Sequence, residues 1–169
     1  MSLFDQETRK LLKALQTNEV RYLLIGGYAV NLHGSERPAS DLDIWLKDTL
    51  ENRQRLRKAF AICGMGDYPM IERMQFVPGW TDFQLNNAMR LDILTELKGL
   101  EAQSFDECFN VAPVAELAGI IVPFLQIGQL IENKKATDRP KDLNDIIALE
   151  EIKRLKAPDR EPPFISRQL

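Results

Sequence analysis

Residues 24–46 read LIGGYAVNLHGSERPASDLDIWL, and this stretch decides the fold. It begins in a short apolar run, Tyr22–Ile25, which predicts a buried strand stopped by two glycines. The compact apolar segment 28–33 predicts a short helix. After the loop SERPAS, strict alternation predicts a second strand in which Asp41 and Asp43 face away from the apolar side chains.

The regions on either side add further elements. Apolar spacing predicts an amphipathic helix over residues 3–15, and a second surface helix is predicted over 50–63. MQFVP (74–78) and TDFQL (81–85) read as short strands, and 90–95 as a longer one.

From about residue 98 the composition changes. A polar stretch leads to an apolar segment with short strands over 111–125, and helices are predicted over 126–135 and 142–155. The proline-rich end is expected to be extended. The whole pattern predicts an α+β fold: a mixed-sheet core over 1–97, a small, mostly helical section over 98–156, and a tail over 157–169.

Composition narrows the classes of function. The chain has 169 residues, a net charge of −3 and 44% hydrophobic residues, which suits one globular domain and disfavours a nucleic-acid coating protein. Two cysteines are too few for a disulfide framework, and with a single histidine the chain has few of the ligands that a zinc enzyme uses, which disfavours that class. Neither a signal peptide nor a membrane span is predicted, so the expected location is the cytoplasm.

Three aspartates are the residues most indicative of function. Asp41 and Asp43 lie two apart on one strand, so their side chains leave the same face with roots about 6 to 7 Å apart. Asp92 alternates with apolar residues on a later strand, and if the two strands are neighbours all three carboxylates share one polar face. Such a cluster needs a counter-charge, and Mg²⁺ prefers oxygen ligands. The aspartates are therefore predicted to hold Mg²⁺, with Mn²⁺ as an alternative.

The glycines and the following loop indicate a phosphate-bearing ligand. Gly26 and Gly27 lack side chains where a strand meets a helix, which lets phosphate oxygens approach backbone N–H groups. Arg37 and Ser40 directly precede the acidic pair and are placed to reach phosphate oxygens. Each feature alone has a simpler explanation, a solvated strand face for the acids and a turn for the glycines. Their occurrence together favours the functional interpretation.

These residues resemble the signature of the nucleotidyltransferase superfamily, which is related to the palm of DNA polymerase beta. Gly26-Gly27 matches the glycine motif, DLD over 41–43 the metal-binding pair, and Asp92 in RLDIL the third carboxylate. Gly27 stands where many members have serine. The GGYA start and the later RPKDLNDI are similar to small bacterial nucleotidyltransferases of abortive-infection and toxin–antitoxin systems. The resemblance covers roughly residues 20 to 150.

The resemblance implies roles for particular residues. Asp41 and Asp43 would hold Mg²⁺ on a nucleoside triphosphate, and Asp92 would share a metal and help to deprotonate the acceptor hydroxyl. The segment from KKATDRPK into the next helix would help to hold the nucleotide. With the glycines and loop residues above, the predicted nucleotide-binding set is Gly26, Gly27, Arg37, Ser40, Lys134, Arg139, Lys141 and Asp145.

The predicted activity is transfer of a nucleoside monophosphate from a nucleoside triphosphate such as ATP to a hydroxyl, with release of pyrophosphate. The acceptor is left open among an RNA end (including tRNA), a protein side chain and a small molecule such as an aminoglycoside, and an antitoxin protein is a candidate partner. Two alternatives remain: a catalytically silent nucleotide- or partner-binding module on the same fold, and an interaction protein whose acidic face is merely solvated.

Overall fold

The computed structural model describes residues 3–77 and 79–157. Its centre is a four-stranded mixed sheet of β1 (Tyr22–Ile25), β2 (Asp41–Leu46), β3 (Asp82–Gln84) and β4 (Arg90–Leu94). The strand order is β1-β2-β4-β3. β2 and β4 run parallel, whereas β1 pairs with β2 and β3 pairs with β4 in antiparallel fashion. The predicted α+β class with a mixed sheet is confirmed.

Six α-helices, a short 3₁₀ helix (Pro69–Glu72) and a β-hairpin surround this sheet in the described part of the chain. The helices are α1 (Gln6–Thr17), α2 (Gly26–Leu32), α3 (Leu50–Ile62), α4 (Phe105–Asn110), α5 (Ile127–Thr137) and α6 (Asp142–Lys156), and the hairpin pairs β5 (Val114–Leu117) with β6 (Ile120–Pro123). None of the described helices has the length and apolar character needed to cross a membrane.

Alternation along the central strands gives the sheet one apolar face. Leu42, Ile44 and Leu46 on β2 are completely buried. Leu91 and Ile93 on β4 join the same core, so that each buried side chain contributes about 1.5 to 3 kcal/mol through removal from water. The intervening positions on both strands carry the aspartates, which therefore share the opposite face.

The C-terminal section is attached directly to the sheet. Leu24 on β1 forms a bridge with Phe124, and the Leu125 N–H donates to the Leu24 carbonyl over 3.0 Å. β6 also contacts α1. These contacts place α5 and α6 beside the polar face of the sheet, while the division of the chain at residue 97 stays a prediction.

Two features of the chain differ from the sequence-based expectation. Residues 74–77 of the predicted strand MQFVP have no strand structure, because Phe76 is buried in the core and the Val77 N–H is bound by the Thr81 hydroxyl instead of a neighbouring strand. Helix α4 was not predicted; Ser104 and Glu107 form a reciprocal capping box at its start. Residues 158–169 of the predicted tail lie outside the described residues.

Candidate active site

A cavity of about 660 Å³ opens over the polar face of the sheet. Ten of the eleven residues predicted from sequence line this one cavity: Gly26, Gly27, Arg37, Ser40, Asp41, Asp43, Asp92, Lys134, Arg139 and Lys141. The eleventh, Asp145, is absent from the lining. The fold thus brings together residues that are up to 115 positions apart in sequence, Gly26 and Lys141 being the most distant.

Strand register places the three aspartates on a common face. Asp43 on β2 is the direct neighbour of Asp92 on β4 in the parallel pairing, and Asp41 is the neighbour of Arg90. Asp92 Oδ1 is buried and has no hydrogen-bond partner. Among residues 3–77 and 79–157, however, no three Asp, Glu, His or Cys side chains stand ready as a metal site. The carboxylates share a face without converging on one point.

The two glycines are required by the close approach of other side chains. Gly26 has a φ of +66°, and a Cβ atom at this position would collide with the carboxylate of Asp43. A Cβ at Gly27 would lie 2.8 Å from Nη2 of Arg37. A side chain at either position would therefore displace a residue that lines the cavity.

Five charged residues, of which four line the cavity and Asp145 lies behind it, form a network that we call the charged network: Arg37, Lys134, Arg139, Asp142 and Asp145. Lys134 Nζ lies 3.2 Å from Asp142 Oδ1 and 2.9 Å from Asp145 Oδ2. Arg139 Nε lies 2.8 Å from Asp142 Oδ2, and Arg37 Nε lies 2.7 Å from Asp145 Oδ1. Lys134, Asp142 and Asp145 are all buried. The basic segment KKATDRPK over 134–141 therefore begins with a buried lysine.

The pairing in this network keeps Asp142 ionised. Burial by itself would raise the pKa of Asp142, but hydrogen bonds from Arg139 and Thr137 and the charge of Lys134 outweigh it and lower the pKa to about 2. The wall therefore holds fixed charges of both signs at neutral pH.

The chain resembles known proteins in its structure and not detectably in its sequence. No family model and no curated protein matches the sequence. Among solved structures, ANT(2″)-Ia in complex with adenylyl-2″-tobramycin matches with a TM-score of 0.54 and 19% identity over 88% of this chain and 91% of that one. The Thermotoga maritima protein TM1012, assigned to the nucleotidyltransferases, matches at 0.53 with 16% identity over 88% and 89%. An antigenic nucleotidyltransferase-like protein from Paracoccidioides brasiliensis matches at 0.53 with 14% identity over 86% and 75%.

The chain has the nucleotidyltransferase fold. The resemblance read from residues 24–46 is thereby confirmed at the level of the fold, since the matches span most of this chain and most of each structure. In this nucleotidyltransferase fold the glycine pair lies between β1 and α2, and the acidic residues lie on the two central strands.

Several residues that line the cavity were not predicted from the sequence. Arg90 had a signal, because it precedes Asp92 by two positions on β4 and so shares its face. Glu96, Lys98 and Asn133 also line the cavity but had no such signal. Asn133 Nδ2 donates to the Lys98 carbonyl over 3.0 Å, a contact between distant segments that only the folded chain creates.

On the face of the sheet that carries Asp41, Asp43 and Asp92, which we call the acidic face, burial and neighbouring negative charges oppose the ionisation of Asp43 and Asp92. Burial, followed by the charges of Asp92 and Asp41, raises the pKa of Asp43 to about 7, although Arg139 and Lys141 partly oppose this. Burial also raises the pKa of Asp92, against the lowering effect of a hydrogen bond from the Gly79 N–H. A negative charge on this face is thus costly until a cation compensates it.

The raised pKa of Asp43 predicts a pH-dependent stability. Asp43 has an ordinary pKa of 3.8 and a folded-state pKa of about 7, so between these values the folded protein binds more protons than the unfolded chain at this site. The contribution of Asp43 to the free energy of unfolding therefore falls as pH rises through this window. Asp43→Asn is expected to match the parent near about pH 4 and to exceed it by about 2 to 4 kcal/mol near about pH 8.

Urea unfolding of the two proteins across this range, with a chelator present, measures that difference. A difference that stays constant from acid to alkaline pH would contradict the assignment of the shift to Asp43.

Proposed function

We propose that the chain is a Mg²⁺-dependent nucleotidyltransferase that moves a nucleoside monophosphate from a nucleoside triphosphate to a hydroxyl acceptor and releases pyrophosphate. One observation supports this above the others: Asp43 and Asp92 are opposed on neighbouring strands inside a cavity whose other wall carries Lys134, Arg139 and Lys141. Carboxylates on one side and cations on the other suit a metal-bound triphosphate.

The donor set fits a hard divalent cation. Carboxylate oxygens are the ligands that Mg²⁺ prefers, and the buried, unpartnered Oδ1 of Asp92 is an oxygen that lacks the partner a cation would provide. Asp41 and Asp43 would hold the ion, and Asp92 would share it or a second one. Bound there, Mg²⁺ or Mn²⁺ supplies charge neutralisation for the triphosphate and for the departing pyrophosphate.

The cations of the cavity would bind and orient the nucleotide. Lys134, Arg139 and Lys141 reach the cavity from the α5–α6 side, and Arg37 and Ser40 reach it from the loop before β2. Charge-assisted hydrogen bonds from these groups to phosphate oxygens would hold the α-phosphorus in position for attack. Gly26 and Gly27 would serve the same purpose by leaving room for Asp43 and Arg37, since a Cβ at either glycine would displace one of these side chains.

Asp92 would act on the acceptor. The acceptor oxygen attacks the α-phosphorus, the bond from that phosphorus to the oxygen bridging to the β-phosphate breaks, and pyrophosphate leaves. The hydroxyl proton passes to Asp92, whose pKa is raised by burial and which is therefore a better proton acceptor than an ordinary carboxylate.

The acceptor could belong to any of the three predicted classes. ANT(2″)-Ia was solved with adenylyl-2″-tobramycin, which makes a small-molecule hydroxyl one candidate. An RNA end such as that of tRNA and a protein side chain are the others. A toxin–antitoxin role with a cognate antitoxin as partner belongs to this proposal as well, on the strength of the sequence resemblance alone.

Calorimetric titration tests the nucleotide site. A non-hydrolysable ATP analogue and then a GTP analogue are added to the folded protein, with and without Mg²⁺, and to the Asp41→Asn/Asp43→Asn variant. Binding to the parent is expected to require Mg²⁺ and to fall below detection in the variant. Absence of binding to the parent would contradict the proposal.

Two further results distinguish the enzyme from the alternative, a catalytically silent nucleotide-binding module on the same fold. Binding that needs neither metal nor aspartates would favour a catalytically silent nucleotide-binding module. Pyrophosphate release from labelled triphosphate in an acceptor screen would favour the enzyme.

A further inference from the structure

Resting on the proposed function, we infer that Asp145 is a positioning residue, which holds the cations of the nucleotide site in place without touching the nucleotide. Asp145 is buried behind the cavity wall and does not line the cavity, whereas Arg37 and Lys134 do. Its two carboxylate oxygens are both occupied by these two cations.

The contact between Asp145 and Arg37 is bidentate. Arg37 Nε lies 2.7 Å from Oδ1, and Nη2 donates to Oδ2 over 2.9 Å. The remaining nitrogen, Nη1, donates to the Pro38 carbonyl over 3.1 Å. The guanidinium is thus fixed through all three nitrogens, in a geometry that a planar fork makes specific.

The same carboxylate ties together three separate segments. Arg37 lies in the loop before β2, Lys134 lies near the end of α5, and Asp145 lies in the first turn of α6. Arg37 Nη2 also lies close above Gly27, where a Cβ would come within 2.8 Å of it. Asp145 therefore sets where two cavity cations stand relative to the start of α2.

Helix packing alone does not require this charged contact. Leu130, Ile131 and Leu149 are buried between α5, α6 and the rest of the core. Buried ion pairs are often no more stabilising than apolar side chains of similar volume, because desolvation offsets their attraction. Holding cations in one fixed arrangement is a use of the pair that apolar packing could not replace.

A positioning role and a purely electrostatic role of Asp145 predict opposite changes in nucleotide affinity for Asp145→Asn. Asp145→Asn removes a negative charge from beside a site proposed to bind a triphosphate, so charge alone would tighten nucleotide binding. If Asp145 instead positions Arg37 and Lys134, the loss of the fixed arrangement weakens binding despite the added positive charge. The direction of the change therefore decides between the two.

The experiment is calorimetric titration of the full chain with a non-hydrolysable ATP analogue and Mg²⁺. Asp145→Asn is expected to raise the Kd about tenfold. Arg37→Lys keeps the charge but loses the bidentate fork, and it is expected to weaken binding similarly. In the double variant the two effects should not add, because both break the same contact.

Leu149→Ala is the matched control. It destabilises the same helix by removing a fully buried apolar side chain outside the cavity, without changing any charge. Measured below its Tm, it is expected to bind the analogue like the parent.

Unchanged or tighter binding by Asp145→Asn, or equal weakening by Leu149→Ala, would overturn the inference. If Asp145→Asn does not fold, Asp145→Glu takes its place: it keeps the charge but displaces the carboxylate, so weakened binding supports the positioning role and unchanged binding overturns it. A folded parent that binds no analogue would overturn the proposed function itself, and the inference with it.

Discussion

Asp43→Asn is expected to lower nucleotidyl transfer by about three orders of magnitude or more while the fold stays intact. Asp43 lies at the centre of the acidic face, next to Asp92 across the β2–β4 pairing and two residues from Asp41. An amide at this position keeps the shape of the side chain but loses the charge and one metal-binding oxygen. Pyrophosphate release with labelled triphosphate, using an acceptor from the screen, measures the loss.

A remote aspartate provides the control for this substitution. Asp106 is an exposed residue of α4 that pairs with Lys47 and does not line the cavity. Asp106→Asn makes the same chemical change and is expected to leave transfer unaffected. Circular dichroism and a melting curve establish that both variants are folded. Full activity in Asp43→Asn would rule out the metal role of the acidic face.

The central strands were predictable because local pattern and tertiary burial agree there. Alternation in DLDIWL and RLDIL assigned one face to the core, and that face is the one that β2 and β4 bury. The prediction of a strand over MQFVP is wrong at residues 74–77 for the opposite reason. Phe76 and Val77 have strand-like side chains, yet the chain uses Phe76 as an isolated core residue in an irregular loop. MQFVP lacks the apolar–polar alternation of RLDIL, so its side-chain types alone could not separate a strand from a loop.

The candidate site was predictable in its residue types and less so in its contacts. The acidic set could be proposed because two aspartates shared a strand and a third had the same alternation. The burial of Lys134 could not be predicted, because its ammonium is paired with Asp142 and Asp145 from the next helix. Asp145 in turn is paired with Arg37 from another part of the chain. Tertiary partners of this kind leave no periodic signal in the sequence.

Lys134→Met is expected to lower the free energy of unfolding at neutral pH by about 3 kcal/mol. Lys134 is 3% exposed, and its ammonium lies 3.2 Å from Asp142 Oδ1 and 2.9 Å from Asp145 Oδ2. Methionine fills nearly the same volume, so the cost comes from two buried carboxylates that lose a shared cation. Arg139 and Arg37 each retain one carboxylate, which keeps the loss below that of a wholly unpaired charge.

Lys135 offers a control at the adjacent position. Its side chain is exposed and pairs with Glu150 on the surface, where solvent screens the interaction. Lys135→Met is therefore expected to leave the unfolding transition unchanged within measurement error. Urea unfolding of the parent and of both lysine variants at neutral pH measures the difference. An equal loss of stability in both lysine variants would show that the charged network does not depend on its central cation.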